Sequence, residues 1–387
     1  MSFLRPRLSV CIIGAGNGGV AMAGHLGLKG HRVRLYSRDE SKVAPVRRAG
    51  GITVTGAVQG FGPVELATTN LAEAIDGADV IMVTTPASAH VSVARDLAPH
   101  LDRQIIVLNP GRTGGALEVH HVLRQAHRYN TVAEAQSFIY ASRAERPDRA
   151  HIFDIKREVP VAAMPARRTP IVLRTLRRLY PEFVAARNVL ETSFANIGAI
   201  FHPAPLILNA SKVDSGVPFD YYHEGITPSI ASLMERIDAE RLAVAAALGV
   251  ITPSAKDWLE AAYGARGETL YEAIQNNESY RGIKAPQTLR HRYIYEDVPT
   301  GLIPIASFGR HLGLPTPFTE SLIQMACGVT ATNYWLSGRT VQSLGLADMS
   351  PADIRHYVET GFKRPASAPA GAAIPAFAHA QMQPRPR

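Results

Sequence analysis

The feature that most constrains this chain is a glycine-rich turn between an apolar strand pattern and a helix pattern near the N-terminus. Residues 8–13 are largely apolar, the turn GAGNGG follows at 14–19, and residues 20–28 are compatible with a helix. In G-x-G-x-x-G spacing, the first glycine permits a tight turn, the second lets backbone approach a pyrophosphate, and the third allows close helix–strand packing. We therefore predict a dinucleotide site rather than a turn without a ligand. Its predicted cofactor-binding residues are Gly14, Gly16, Asn17, Gly18 and Gly19.

The end of the second predicted strand, residues 31–37, bears on which dinucleotide binds. NAD-specific sites commonly place Asp or Glu there to accept hydrogen bonds from ribose hydroxyls. Here the strand ends in Ser37 and is followed by Arg38. Arg38 suits a 2′-phosphate, which accepts charge-assisted hydrogen bonds, so these two residues favour NADP over NAD. Asp39 keeps NAD open as the alternative, because a carboxylate turned inward at that point would favour it.

Further strand patterns in the first half, at residues 80–85 and 105–109, alternate with helix patterns. Such alternation predicts parallel strands joined by right-handed crossovers, that is, a doubly wound α/β Rossmann domain, which we place at residues 1–190. Thr85, Pro86 and Asn109 lie at the ends of these predicted strands, where such folds line the path of the cofactor. The alternatives are that Pro86 only stops a strand and that Asn109 only forms a turn.

The second half has long helix patterns, at residues 229–248, 254–263 and 317–332. Thr227 and Pro228 give a start signal for the first of them, since a threonine oxygen caps free amides and proline is tolerated in the first turn. We predict an all-helical domain at 191–363. The remaining 364–387 is rich in proline and alanine without periodicity, which predicts a disordered tail.

Composition limits the classes of function. Hydrophobic residues make up 46% of the 387 residues, enough to build the cores of two domains. Two cysteines support neither a disulfide framework nor a cysteine-based metal site, and we expect no metal. The net charge of +8 suits anionic ligands, but it is scattered and no nucleic-acid motif accompanies it. No apolar run approaches the roughly 20 residues of a membrane span, so we expect a cytoplasmic protein without nucleic-acid or membrane partners.

Two segments concentrate ionisable residues where the sequence otherwise looks like core. They are residues 198–205, which contain His202, and residues 290–299, which contain Asp297. A histidine paired with a carboxylate is a common acid/base device, because its pKa lies near neutral pH and the carboxylate fixes its tautomer. From the residues alone, a structural histidine with satisfied hydrogen bonds remains the alternative for His202.

These residues belong to a set of motifs through which the chain resembles the opine dehydrogenases, the octopine/nopaline dehydrogenase family. That family includes bacterial enzymes that act on N-(1-carboxyethyl) amino acids. The resemblance extends from Val10 to about Gly361. Its motifs are LNPGRTGGAL at 108–117, the stretch from Ala133-Glu134 to Arg143, FHPAP at 201–205, TPS at 227–229, Asp238 with Glu240-Arg241, YRG at 280–282 followed by Pro286, and Arg292 with EDVP at 296–299.

The resemblance implies a Rossmann domain, an all-helical second domain, and a small-molecule substrate site in the cleft between them. It implies that His202 and Asp297 form the catalytic dyad and that Arg292 binds the carboxylate of a 2-oxo acid. The implied reaction is a reductive condensation of an amino acid amine with a pyruvate-like 2-oxo acid. We also consider a homodimer possible, because apolar helices of such second domains often pair between subunits.

The sequence offers further candidates for substrate contacts. A second carboxylate needs its own donor, for which Arg143 and Tyr280 are the candidates. Glu134 is expected to orient the substrate amine or to form the wall of the cleft, with a purely structural hydrogen bond as the alternative.

Two other functions remain open on sequence grounds. One is reduction of a 2-oxo or hydroxy acid without an amine, as in the ketopantoate reductase or glycerol-3-phosphate dehydrogenase groups, which share the two-domain layout. The other is a dinucleotide-binding protein without catalysis. The intact set of His202, Arg292 and Asp297 argues against the second.

Overall fold

The computed structural model describes residues 7–364, and almost all strands lie in the first half of the chain. The strands are β1 Ser9–Ile13, β2 Arg32–Tyr36, β3 Gly51–Gly56, β4 Gly60–Pro63, β5 Leu66–Thr68, β6 Val80–Val83, β7 Ile105–Leu108, β8 Val132–Ala135, β9 Tyr140–Arg146, β10 Arg149–Ile155, β11 Val159–Met164 and β12 Phe183–Ala185. The predicted tail at 364–387 lies outside the described residues except for Arg364.

Six helices accompany these strands, and the helices after Ala185 build the second half. The first group is α1 Asn17–Leu28, α2 Glu40–Ala49, α3 Leu71–Ile75, α4 His90–Leu97, α5 Gly115–Gln125 and α6 Thr169–Leu179. The second group is α7 Val189–Phe194, α8 Gly198–Phe201, α9 Pro203–Leu208, α10 Ala210–Asp214, α11 Pro228–Ala247, α12 Ala255–Tyr263, α13 Leu270–Gln275, α14 Arg292–Tyr295, α15 Ile303–Leu312, α16 Pro317–Thr330, α17 Tyr334–Ser337 and α18 Pro351–Thr360. A π-helical turn, Val298–Leu302, follows α14.

The main sheet has the strand order β12-β11-β8-β7-β6-β1-β2-β5. All of its neighbouring pairs are parallel except β8 with β11, which is antiparallel. From β1, the chain first adds β2 and β5 on one side and then adds β6, β7 and β8 on the other side. The sheet is therefore doubly wound, and the predicted fold class is confirmed. Because its parallel strands end at one edge, the loops after β1, β6 and β7 meet there, as expected for a ligand crevice.

A second, four-stranded sheet with the order β4-β3-β10-β9 was not predicted from the sequence. It packs on α1, where a side chain at Gly24 would collide with Ile52 and Val54 of β3. Two hydrogen bonds join it to the glycine turn. The backbone N–H of Ala144 donates to Oδ1 of Asn17 at 3.0 Å, and the hydroxyl of Ser142 donates to the carbonyl oxygen of Asn17 at 3.4 Å. These contacts place β9 and the end of β10, both in the second sheet, beside the N-terminus of α1.

The two halves of the molecule share an apolar core. One continuous cluster of buried side chains contains Ile81 and Leu108 of the main sheet together with Leu206 and Ile305 of the helical half. A second cluster lies on the other face of the main sheet and contains residues of α1 and of the second sheet. The helical half is thus packed directly on the sheet, next to the edge at which its parallel strands end. Within residues 7–364, no helix is long and apolar enough to cross a bilayer.

Candidate active site

A cleft lies between the loops at the sheet edge and the helical half. Its walls include Gly16, Asn109 and Arg112 from the first half, and His202 and Arg292 from the second. Tyr280 and Pro86 also line it, together with Asn17, Gly18 and Thr85. Most of the residues proposed from the sequence for cofactor or substrate contact therefore meet in one place.

The glycine turn has the geometry that a dinucleotide requires. Gly14 has φ of +107°, a conformation that side-chain-bearing residues rarely adopt. A Cβ at Gly19 would lie 1.7 Å from the carbonyl oxygen of Gly14, so only glycine allows α1 to pack this closely. A Cβ at Gly16 would meet nothing within 4 Å, which leaves open space in front of the N-terminus of α1. Free amides and the helix dipole favour a phosphate group there, so these residues fit the cofactor.

Gly18 is explained by packing. A Cβ at this position would lie 2.4 Å from the ring of Phe138, which covers the turn from the segment between β8 and β9.

The far end of the crevice is lined by Gly14, Ser37, Arg38, Asp39 and Thr85. Oδ1 of Asp39 accepts hydrogen bonds from the backbone N–H of Ser41 at 2.9 Å and from its hydroxyl at 2.6 Å. These bonds lower the pKa of Asp39 and commit its carboxylate to capping α2. Arg38 is exposed and makes no hydrogen bond or ion pair with any part of the chain that the structure describes.

Asn109 is a buried residue whose side chain lacks partners. It is 0% exposed, and neither Oδ1 nor Nδ2 has a hydrogen-bond partner within residues 7–364. Leaving a buried amide unpaired costs free energy, so such a group in a native fold needs an explanation. Because Asn109 lines the cleft, a bound ligand with its own donor and acceptor would satisfy both atoms.

His202 and Asp297 form a close pair in the helical half. Nδ1 of His202, at the end of α8, lies 2.7 Å from Oδ2 of Asp297, which directly follows Glu296 at the end of α14. Asp297 is completely buried, whereas the side chain of His202 is 18% exposed to the cleft. Since Nδ1 is engaged, Nε2 is the ring nitrogen available to a ligand.

Two tyrosines fix the orientation of this histidine. The ring of Tyr293 stacks on that of His202, with centroids 4.0 Å apart and planes 8° from parallel. The hydroxyl of Tyr221 donates to the carbonyl oxygen of His202. The stack on Tyr293 and the hydrogen bond with Asp297 leave the imidazole little freedom to rotate, while the bond from Tyr221 holds the backbone of His202.

Arg112 is a site residue that was not singled out from the sequence. It lies in the loop between β7 and α5, with φ of +61°. Its Nη1 is 3.2 Å from Oδ1 of Asp297, and its Nε is 3.6 Å from Oε1 of Glu296. Burial alone would raise the pKa of Asp297, but the charges of Arg112 and His202 hold it below its ordinary value. The one available signal was its place in the motif at 108–117, which does not say where its side chain points.

Arg292 is held at the mouth of the cleft. Its Nη2 lies 2.9 Å from Oε2 of Glu296, and its side chain is 51% exposed. Oε1 of the same glutamate accepts from the backbone N–H of Ala87 at 3.1 Å, which joins α14 to the loop after β6. An exposed guanidinium keeps donors available for a planar carboxylate.

Aromatic side chains form one wall of the cleft. Tyr280 is buried and stacks on Tyr222, with ring centroids 4.0 Å apart. The remaining aromatic residues of the cleft are Phe138, Tyr140, Phe201, Trp258, Tyr263 and Tyr295.

Glu134 and Arg143 are not brought to the cleft, which corrects our expectation of substrate contacts for them. Glu134 is fully buried, and its carboxylate accepts from the backbone N–H of Ala116 and from the hydroxyls of Thr192 and Ser193, at 2.6–2.8 Å. The alternative considered for Glu134, a purely structural hydrogen bond, therefore applies. Arg143 lies on β9 with its side chain exposed and does not line the cleft.

Arg339 is a second residue that sequence reasoning missed. It is 1% exposed and pairs with Glu118 of α5, with Nε 2.8 Å from Oε2. It also donates to the carbonyl oxygens of Ala87, Gly111 and Thr113. A residue of the helical half thus holds both loops, after β6 and after β7, that form the first-domain wall of the cleft.

Comparison with known proteins identifies the family. Residues 185–330 match the family model described as NAD/NADP octopine/nopaline dehydrogenase, alpha-helical domain, and residues 9–108 match that of NADP oxidoreductase, coenzyme F420-dependent. An opine dehydrogenase from Arthrobacter sp. (strain 1C) is 39% identical over 351 residues, which cover 90% of this chain and 98% of that protein. The chain belongs to the opine dehydrogenase family. The resemblance inferred from its motifs is confirmed, as is its assignment as an NAD(P)-dependent oxidoreductase.

More distant members of the opine dehydrogenase family share the fold. Octopine dehydrogenase from Pecten maximus is 24% identical, over 86% of this chain and 92% of that protein. A solved octopine dehydrogenase with NADH and L-arginine superposes with a TM-score of 0.79 at 21% identity, covering 93% of this chain and all of that one. Yersinopine dehydrogenase with NADP+ gives 0.70 at 17% identity, covering 91% of this chain and 98% of that one. A ketopantoate reductase superposes with a TM-score of 0.58 at 17% identity, covering 84% of this chain and 99% of that one. The fold therefore extends beyond opine dehydrogenases.

Proposed function

We propose that this enzyme condenses the amino group of an amino acid with a 2-oxo acid such as pyruvate and reduces the product with NADPH. The result is an N-(1-carboxyalkyl) amino acid, and the same enzyme catalyses the reverse oxidation. The observation that carries the proposal is the pair of His202 and Asp297 at 2.7 Å, in a cleft that the glycine turn also lines.

His202 acts as the general acid and base in this proposal. The amine adds to the carbonyl carbon of the 2-oxo acid, and the resulting carbinolamine loses water to give an imine. Nε2 of His202 donates the proton that leaves with the hydroxyl group, and Asp297 stabilises the protonated ring. The bound reduced nicotinamide supplies the hydride that adds to the former carbonyl carbon.

Arg292 orients the 2-oxo acid. A guanidinium binds a planar carboxylate through two parallel hydrogen bonds, which fixes both position and angle. The half-exposed position of Arg292 at the cleft, with Glu296 behind it, supports this role. Such a contact holds the carbonyl carbon next to His202, as productive geometry requires.

NADPH is the proposed cofactor in preference to NADH. Arg38 lies at the rim of the crevice without a partner in the part of the chain that the structure describes, whereas the Asp39 carboxylate is occupied by Ser41. Both bonds from Ser41 go to Oδ1 of Asp39 and hold that carboxylate at the N-terminus of α2. A 2′-phosphate would gain a charge-assisted hydrogen bond from Arg38. Asn109, with both of its polar atoms unpaired, is the proposed contact for the nicotinamide carboxamide or ribose.

The test is a screen of amino acids against pyruvate, glyoxylate and 2-oxoglutarate with each reduced cofactor, followed by mass spectrometry of the product. We expect oxidation of the cofactor to require both an amine and a 2-oxo acid, and a secondary-amine dicarboxylate to form. Oxidation of NADPH by pyruvate alone, unaffected by any amino acid, would instead support a reductase that needs no amine.

A further inference from the structure

Lys156 is a cation in the wall of the cleft. It directly follows β10 and lines the same cavity as His202 and Arg292. Its Nζ donates to Oγ of Ser137 at 2.8 Å, and within residues 7–364 no Asp or Glu forms an ion pair with it. Removing an ammonium group from water without a counter-charge is costly, so this arrangement calls for an anion.

The other charges at the cleft are already matched. Arg112 and Arg292 face two carboxylates, those of Glu296 and Asp297, at 2.9–3.6 Å. Lys156 therefore contributes an unmatched positive charge. Burial, with a further contribution from the charge of Arg112, lowers the pKa of Lys156 to about 8. An anion next to Nζ would oppose both effects.

The position of Lys156 is fixed relative to the catalytic pair. Ser137, its hydrogen-bond partner, follows Gln136, whose Nε2 donates to the carbonyl oxygen of Ala195 at 3.0 Å. Ala195 lies three residues before the start of α8, the helix that ends next to His202. The segment that holds Lys156 is therefore attached to the helical wall of the cleft.

We propose that Lys156 binds the α-carboxylate of the amino acid substrate. This inference rests on the proposed function, in which the product carries two carboxylates and Arg292 binds the one from the 2-oxo acid. An ammonium group has three donors. Ser137 takes one of them, and the other two are available to a carboxylate. Lys156 thus takes the place that the sequence had offered to Arg143 or Tyr280.

The experiment compares substrates with and without the carboxylate in Lys156→Met. The amino acid most active in the screen is paired with the amine that lacks its carboxyl group, which for phenylalanine is 2-phenylethylamine. We expect Lys156→Met to reduce the preference for the amino acid, measured as the ratio of the two kcat/KM values, by about 10- to 100-fold. The KM for pyruvate and the Kd for NADPH should stay unchanged.

Three further variants complete the test. Lys156→Arg should retain most of the preference, because it keeps the charge, and Ser137→Ala should lose a smaller part of it. Lys42→Met, on the exposed surface of α2, is the matched control and should behave like the wild type. Circular dichroism shows that each variant is folded, independently of NADPH binding.

The possible failures are distinguishable. If Lys156→Met weakens NADPH binding and keeps the preference for the amino acid, Lys156 serves the cofactor and the inference is wrong. It is also wrong if neither quantity changes. If the wild type shows no amine-dependent oxidation of the cofactor at all, the proposed function itself fails.

Discussion

Nη1 of Arg112 lies 3.2 Å from Oδ1 of Asp297, so a loop of the first domain supplies a counter-charge for a buried carboxylate of the second. The other oxygen of that carboxylate faces His202. Asp297 is therefore held between the guanidinium of Arg112 and the imidazole of His202, and its ionised form depends on both halves of the molecule.

Replacing Arg112 by methionine should change the pH dependence of catalysis. Arg112 helps to hold the pKa of Asp297 below its ordinary value, so its removal raises that pKa and the carboxylate is protonated at higher pH. We expect the acidic limb of the pH profile of kcat/KM to move to higher pH, with kcat reduced about 10-fold or more. Arg310→Met, which removes a surface ion pair with Glu320, is the control and should leave the profile in place. An unshifted acidic limb in Arg112→Met would contradict this role.

The two members of the dyad should differ in how much activity they remove. His202→Ala deletes the proposed acid and base, and we expect turnover to be abolished. Asp297→Asn keeps the shape but not the charge, and kcat should fall by about 10²- to 10⁴-fold. Cofactor affinity, measured by fluorescence titration, should be largely retained in both. Wild-type turnover in either variant would exclude the proposed roles.

Cofactor choice can be tested at the rim of the crevice. Arg38→Ala should weaken NADPH binding by about 10- to 100-fold and NADH binding far less, because only the 2′-phosphate would lose a charged hydrogen bond. Arg48→Ala, an exposed arginine on α2 that does not line this crevice, is the matched control. Equal losses for both cofactors in Arg38→Ala would mean that Arg38 does not contact the phosphate.

Arg339 should be important for stability. Arg339→Met leaves Glu118 without its ion-pair partner and removes the side-chain hydrogen bonds to the carbonyl oxygens of Ala87, Gly111 and Thr113. Breaking a buried ion pair by removing one partner costs about 3–5 kcal/mol, and we expect a loss of that order in the free energy of unfolding. Arg281→Met, which removes an exposed ion pair with Glu278, should change the free energy of unfolding far less, because solvent screens that pair. Denaturant titration followed by circular dichroism measures the free energy of unfolding of both variants. A loss in Arg339→Met as small as that in Arg281→Met would show that Arg339 is dispensable for stability.

Four of the eight strands of the main sheet, β1, β2, β6 and β7, were predictable, because each follows a β-branched or apolar run bounded by turns. Each lies within its predicted run and is shorter by one or two residues. The second sheet was not predicted. β9, with sequence YASRAER, lacks a simple apolar pattern, and the short alternation in β3, with sequence GITVTG, does not say with which strand it pairs. Its strands are defined by their packing on α1, which local sequence does not encode.

The residues of the candidate site also differ in whether the sequence could predict them. His202 and Asp297 stand out by residue type and motif, although their contact spans 95 residues of chain. Lys156 had no such signal, because a lysine after a polar strand resembles a surface lysine. Whether its charge is matched depends on which side chains the fold brings near it. The roles assigned to these residues, and the domain boundary near residue 190, remain predictions.

The contacts of Arg339 and Glu134 have a consequence for dividing the chain. A recombinant fragment that stops near residue 190 would lose Arg339, the partner of Glu118, and also the Thr192 and Ser193 hydroxyls that satisfy Glu134. Both carboxylates would then lie in the fragment without their partners. Chimeras that exchange the helical half between relatives must therefore keep these pairs together, since the cofactor domain is completed by residues that follow it in the chain.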